Sequence, residues 1–291
     1  MQTTTGQTTT GQTTTGQTTT GQSTTDATGD RRNASSSLRR ALGIVMFLAE
    51  DRGHPQGATL TELATGLQLS KSTVLRLVAP LRELRLVDQD PESGRYRLGP
   101  QNALLGQIYL ERLDVRQAAS PLLHRLAQDA GETVHLVSFE PPEIVYIDKV
   151  ESVQPVRMHS RIGNRQPAYC TATGKAFLAH AAEDVIESVI AAGMPPRTAD
   201  TLTSPERLRA DLALVRQRGY SVDDVENEQD IRCVAAPVFD HTGSVATAVS
   251  VSGPSSRVTR DRVPGIGALL IAAAGAITER LGGTVPTGVS R

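Results

Sequence analysis

The sequence contains no tryptophan, and aromatic residues make up only 3% of its 291 residues. That excludes a protein built on stacking platforms for single-stranded nucleic acid. Two cysteines exclude a disulfide-rich secreted scaffold. No apolar run approaches the roughly 20 residues that span a bilayer. The N-terminus has no charged stretch followed by an apolar one, so no secretory signal is read there. Nor is there an excess of one charge: 30 Lys and Arg face 31 Asp and Glu, a net charge of -1. A strongly basic packaging protein is thereby excluded, although a local basic patch is not. What remains is a cytoplasmic chain of about two domains, at roughly 100–200 residues each.

The first residues also lack apolar side chains. None occurs between Met1 and Ala27, where Gln-Thr-Thr-Thr-Gly runs four times over residues 2–21. Ordering such a stretch costs about 1–2 kcal/mol per residue, with no buried surface to offset it. Residues 1–36 are therefore read as a disordered low-complexity tail, and residues 283–291 as a disordered C-terminus. The near-neutral total also hides an asymmetry. Residues 1–30 carry -2, residues 31–99 carry eleven Lys/Arg against seven Asp/Glu, or +4, and the rest carry -3. A polyanion-binding module joined to a different kind of module fits that split.

The basic segment, residues 37–99, reads as three helices and a ribbon. Leu38, Ala41, Leu42, Val45, Leu48 and Ala49 recur at helical spacing after Ser37, a candidate N-cap. Thr59 or Thr61 caps a short second helix that Gly66 stops. Ser70 caps a third helix whose apolar face is Val74, Leu77, Val78, Leu81 and Leu84. Two short extended runs then flank the turn Asp90-Pro91-Glu92-Ser93-Gly94. This order is that of a winged helix-turn-helix. The third helix leaves Lys71, Ser72, Thr73 and Arg76 on its other side, in the first two turns, where such a helix meets base edges. Arg can fork onto guanine, and Ser or Thr can donate or accept. Ser70 at the helix start joins this set. Arg39, Arg40, Arg95 and Arg97 are candidates for phosphates or the adjacent minor groove. A plain solvated helix face is the alternative.

Residues 100–114 read as a linker helix and residues 115–282 as a second domain. Runs at 132–139, 143–150, 154–161, 220–225, 233–239 and 245–252 look extended. Runs at 175–182, 182–191, 205–218 and 259–281 look helical. The irregular alternation fits an α+β domain with a mainly antiparallel sheet. Tyr169-Cys170-Thr171-Ala172-Thr173-Gly174-Lys175 is the most chemical stretch, because small residues let backbone N–H groups approach a ligand. It lacks the glycine spacing and following Ser/Thr of a phosphate-binding loop. A thiol nucleophile on Cys170 or Cys233 with His135 is conceivable, as is zinc on Cys170, Cys233, His135 and Asp223, or a Cys170–Cys233 redox pair. No close-spaced Cys/His pair supports these. No enzyme, resident metal or cofactor is expected.

A set of motifs resembles the IclR family of bacterial transcriptional regulators. Its parts are Ser37-Leu38-Arg39-Arg40-Ala41-Leu42, Leu69-Ser70-Lys71-Ser72-Thr73-Val74 and Gly94-Arg95-Tyr96-Arg97-Leu98-Gly99. They continue through Gly131-Glu132-Thr133-Val134-His135, Ala172-Thr173-Gly174-Lys175-Ala176-Phe177, Arg218-Gly219-Tyr220 and Ser250-Val251-Ser252-Gly253-Pro254. The resemblance covers roughly residues 37–281 and implies a GAF/PAS-like effector-binding domain after the DNA-binding one. It also implies a ligand-responsive regulator, a repressor by preference, that binds a palindromic double-stranded DNA operator as a homodimer or dimer of dimers. Position by position, it implies effector contacts at the backbone of Ala172 and Thr173, and at Asp223, Cys233, Ser250 and Ser252. Two serines two apart on a strand share a face, and their hydroxyls can donate to a small organic acid. Asp223 would repel a carboxylate and fits a ligand hydroxyl, amide or hydrate. A metal- or redox-sensing second domain is the alternative. The family usually has Gly at the positions of Arg85 and Asp230 and rarely has Pro at that of Pro80. A kink or end of the third helix near Ala79 is expected from that proline.

Overall fold

The computed structural model describes residues 27–50, 56–111, 113–154 and 160–286. Residues 1–26 of the tail expected at 1–36, the last five residues and most of the strand expected at 154–161 lie outside them. The chain divides into two compact units, Met1–Glu111 and Arg112–Arg291, and each is described by itself.

In the first unit, helix α1 spans Ala27–Glu50. It starts ten residues before Ser37, so residues 27–36 are helical and not part of the tail, and Ser37 is not the N-cap. Once the apolar turns from residue 38 onward have nucleated the helix, extending it backwards adds bonds without a new nucleation cost. Helix α2 (Leu60–Gly66) is closed by a capping box between Thr59 and Glu62. Helix α3 (Lys71–Glu83) begins at Ser70, whose side chain accepts from the Thr73 N–H. It runs through Pro80 without ending at Ala79, contrary to expectation. Pro80 sits in the last turn and is exposed, so only the one helix bond to the Arg76 carbonyl is lost, on the solvent side. Strands β1 (Val87–Gln89) and β2 (Tyr96–Leu98) pair antiparallel as the wing, and Ala58 bridges to Tyr96 as a third edge. Ile44, Leu63, Val74, Leu77, Val78, Leu81, Val87 and Tyr96 form the core of this unit. Leu84 is 63% exposed and does not belong to it. Helix α4 (Gln101–Glu111) buries no residue.

Helix α3 ends in a Schellman motif. The Leu86 N–H bonds Leu81 O at 2.9 Å and the Arg85 N–H bonds Arg82 O at 2.9 Å. The residue between them must be left-handed, and Arg85 has φ 58°. That is why glycine suits this position and why arginine there is strained.

The second unit opens with helix α5 (Val115–Ala130), capped by Asp114 and ended by Gly131 at φ 70°. Strands β3 (Thr133–Glu140), β4 (Glu143–Val150), β5 (Arg165–Pro167), β6 (Ser221–Asp224), β7 (Ile231–Phe239) and β8 (Val245–Pro254) form one sheet in the order β5-β4-β3-β8-β7-β6. Every pairing is antiparallel, as the α+β reading expected. Helices α6 (Ala172–Leu178), α7 (Glu183–Ala191) and α8 (Pro205–Arg218) cover one face, and α5 and α9 (Val263–Arg280) cover the other. The two-residue period of the strands sorts the cores. Val134, Leu136, Val234, Ala236, Val249 and Val251 face α5 and α9, while Val137, Ala235 and Ala248 face α6. The stretch Arg260–Arg280 is long and apolar enough to cross a membrane by composition, against the expectation that no run is. It is a core helix: Ile266, Leu270, Ala274 and Ile277 pack onto the sheet. Of the C-terminus expected to be disordered at 283–291, residues 283–286 are described; Gly283 is buried and its N–H bonds Thr278 O at 2.9 Å.

Candidate functional site

Two sets of residues were expected to carry function, one in each unit. The first is on α3 and the wing. Lys71, Ser72 and Arg76 are exposed on the first two turns of α3, opposite its buried Val74, Leu77 and Val78. Thr73 is half-buried. Ser70 is exposed but already engaged: its hydroxyl lies 3.0 Å from Ser72 Oγ and 2.8 Å from Thr73 Oγ1, and it accepts from the Thr73 N–H at 3.2 Å. Its role here is to fix the start of the helix. Arg39 and Arg40 are exposed on α1.

The wing arginines differ from each other. Arg95 is half-buried and donates from Nη1 to Gly57 O at 2.7 Å and to Glu62 Oε2 at 3.4 Å. It ties the wing to the start of α2, so its geometry is that of a brace. Arg97 is exposed and donates to Asp88 Oδ2 at 3.1 Å from Nη2. The Arg97 guanidinium holds the Asp88 carboxyl below its ordinary value. Such an exposed pair is easily exchanged for a phosphate contact.

The second set converges on a cavity. Ala172, Thr173, Asp223, Cys233, Ser250 and Ser252 all line it, together with Tyr146, Asn227 and Glu228. Its volume is about 40 Å³. By the same measure a single water needs roughly 10–15 Å³, so the space suits a molecule of a few heavy atoms. Cross-strand register makes the floor. Asp223 pairs with Cys233 and Cys233 with Ser252; Ala235 pairs with Ser250 and Ser250 with His135. These residues share the sheet face toward α6.

The wall is α6. Thr171 caps it, accepting from the Gly174 N–H at 3.2 Å and donating to Pro167 O at 2.8 Å. A Cβ at Gly174 would meet Ala168 O at 2.2 Å, so only glycine lets this helix lie against the chain before it. Behind the cavity, Lys175 is 1% exposed, with Nζ 2.8 Å from Asp211 Oδ2 and 2.5 Å from Glu226 Oε1. Burial pulls its ammonium down, but the two carboxylates outweigh that and raise it overall. The loop after β6 turns at Val225, φ 66°, a seat that a β-branched residue rarely takes. The turn aims the N–H groups of Glu226 and Asn227 at Asp223 Oδ1, at 2.7 and 3.2 Å.

Asp223 is 3% exposed, and burial pushes its carboxyl up to about 7, against the pull of Lys175. Burial likewise pushes the thiols of Cys170 and Cys233 up to about 12, so neither is a thiolate at neutral pH. Among the described residues no group of three His, Cys, Asp or Glu side chains is placed to hold a metal ion. His135 shares the sheet face toward α6 beside Ser250, its Nε2 2.7 Å from Ser160 Oγ and its ring 4.8 Å from that of Tyr146.

Comparison with known proteins joins the two sites. The family description "Bacterial transcriptional regulator IclR C-terminal" matches residues 107–279, and "IclR helix-turn-helix domain" matches residues 37–91. The chain belongs to the IclR family. It is 37% identical over 251 residues to the acetate operon repressor of Salmonella typhimurium, covering 85% of this chain and 90% of that protein. It is 35% identical over 260 residues to the transcriptional repressor IclR of Escherichia coli, covering 88% and 94%. Among solved structures, an IclR-type regulator of Silicibacter sp. TM1040 superposes with a TM-score of 0.79 at 28% identity, covering 88% of this chain and 99% of that one. The repressor BlcR of Agobacterium tumefaciens gives 0.72 at 31%, covering 85% and 98%. As an IclR-family member the chain is a DNA-binding transcriptional regulator and not an enzyme.

Sequence reasoning missed Tyr146, Asn164, Gln166, Asn227 and Glu228 in the cavity wall. It also missed the Lys175–Asp211–Glu226 cluster. A lone lysine inside the apolar run after Gly174 was the available signal, since a buried ammonium requires carboxylate partners.

Proposed function

We infer that this IclR-family protein is a ligand-responsive repressor in the cytoplasm. In this reading paired subunits place α3 in the major grooves of a palindromic operator. A small organic-acid metabolite enters the cavity of the second unit and changes operator affinity. The observation that carries the reading is the convergence of Ala172, Thr173, Asp223, Cys233, Ser250 and Ser252 on one cavity of few-atom size. The exposed Lys71, Ser72 and Arg76 on α3 supply the DNA side. Its relatives are named as repressors, one of them of the acetate operon, which supports both repression and a carboxylate. An effector works only if it binds the free and the DNA-bound forms with different affinity.

The test is a thermal-shift screen of small carboxylates, followed by mobility shift on operator DNA. The expected result is a compound that raises the melting temperature with the logarithm of its concentration above Kd, as mass action requires, and that changes operator binding. The Ser250→Ala, Ser252→Ala double variant is expected to bind DNA normally and to lose both responses. An unchanged titration in that variant removes the cavity from the reading.

A further inference from the structure

The cavity presents an apparent contradiction that its charges resolve. Hydroxyls and backbone N–H groups can donate to a carboxylate ligand but do not offset its charge, and among the described residues no Lys, Arg or His lines the space. The cations nearby are committed elsewhere. Lys175 on α6 is held between Asp211 on α8 and Glu226. Arg218 on α8 lies 3.6 Å from Asp211 Oδ1. Arg197 donates to Asn227 O at 3.1 Å and to Gln166 Oε1 at 3.3 Å, bracing the rim from behind. Lys149 on β4 donates to Ser160 O at 2.9 Å and pairs with Glu151 at 3.1 Å.

We propose that the regulator takes up its carboxylate effector together with one proton, which is held on Asp223 between the ligand and the protein. This rests on the effector reading above and specifies how the site tolerates an anion. Asp223 is the cavity-lining group placed for the task. One of its oxygens is fixed by the N–H groups of Glu226 and Asn227, which leaves the other for the ligand. Lys175, Asp211, Glu226 and Asp223 together carry three carboxyls on one ammonium, with Arg218 at the far edge. Burial of that excess negative charge favours keeping one proton in the cluster. The other groups facing Asp223 do not compete for this role. The Cys233 thiol on β7, the Cys170 thiol before α6 and the Tyr146 phenol on β4 are all raised by burial and stay neutral. Glu226 is raised too, but it sits on Lys175. Glu228 is at the exposed end of the wall. A protonated Asp223 donates to the ligand carboxylate, where a charged one would repel it.

The experiment is isothermal titration calorimetry on the full chain with acetate, glycolate and lactate as probes. Each is run from about pH 6 to about pH 9 in two buffers of different ionisation enthalpy. Affinity should be flat below about pH 7 and fall roughly tenfold per pH unit above it, with uptake of nearly one proton per ligand at the alkaline end. Asp223→Asn keeps the acceptor oxygen for Glu226 and Asn227 and removes one buried charge, so it should fold. Its affinity should match that of the wild type near pH 6 at every pH, with no proton uptake. Binding that is flat with pH and without uptake in the wild type overturns the proton linkage but leaves the effector site standing. If no probe binds wild type or variant at any pH, the carboxylate reading fails and this proposal fails with it.

Discussion

His135 is 1% exposed, and burial followed by the nearby Lys149 charge depresses its imidazole to about 3. In the unfolded chain a histidine titrates near 6.5. Its contribution to stability is therefore complete above about pH 6.5 and is lost as pH falls toward 3, by about 1.4 kcal/mol per unit. Asp223 acts in the opposite direction. Its raised carboxyl binds a proton more tightly folded than unfolded, so acidification from 7 toward 4 adds stability. Comparing wild type with His135→Gln cancels the second effect. We expect the wild type to lose stability relative to the variant between about pH 6.5 and 4, measured by urea unfolding. Parallel curves would mean that the ring is protonated in the fold. Arg85 offers a second test at this scale. Its φ of 58° closes a complete Schellman motif that glycine fills without strain. Arg85→Gly should stabilise the protein by about 1 kcal/mol. An unchanged or lower denaturant midpoint would show that the arginine side chain compensates for its own backbone.

At the scale of elements, legibility followed locality. Helix α8 was read with its bounds, residues 205–218, and the structure finds local end signals there, Ser204 as N-cap and Gly219 as C-cap. Strand β5 was not, since three residues acquire their identity only by pairing with residues 143–145 some twenty positions away. The same distinction divides the site. Ser250 and Ser252 share a face by period alone, but which strand lies beside them is a matter of register. Tyr146 and Asn227 therefore entered the cavity unannounced, while the six residues carried over from the resemblance did converge. On the DNA side, sequence set Arg76 apart for base edges but treated Arg95 and Arg97 alike, and packing separates those two. Arg76→Ala should weaken operator binding by about 1–3 kcal/mol if it reads a base, with little change in melting. Arg97→Ala should lower affinity on all sequences and reduce the salt slope by about one ion. Arg95→Ala should lower stability by about 1–2 kcal/mol, because its bond to Gly57 O is lost. Equal effects of all three on DNA binding, with none on melting, would return Arg95 to the contact surface.

At the scale of the molecule, the first unit is incomplete as an isolated body. Leu38, Leu42 and Met46 lie four residues apart on α1 and are 62%, 49% and 57% exposed. Helix α4 buries no residue and exposes Leu104, Leu105, Ile108, Tyr109 and Leu110. Exposed apolar residues repeated along a helix face fit an interaction site. On the proposal that the operator is palindromic, the fitting occupant is a second copy, because a two-fold protein matches a two-fold operator. Leu42→Glu with Ile108→Glu puts charge into both faces while disturbing no buried contact, so the fold itself should change by less than about 0.5 kcal/mol. Sedimentation should show the variant with reduced mass, and operator affinity should fall steeply, since each monomer then holds a single half-site. A variant that keeps its mass and its affinity would place the copy-to-copy contact in the second unit and leave these helices to another partner.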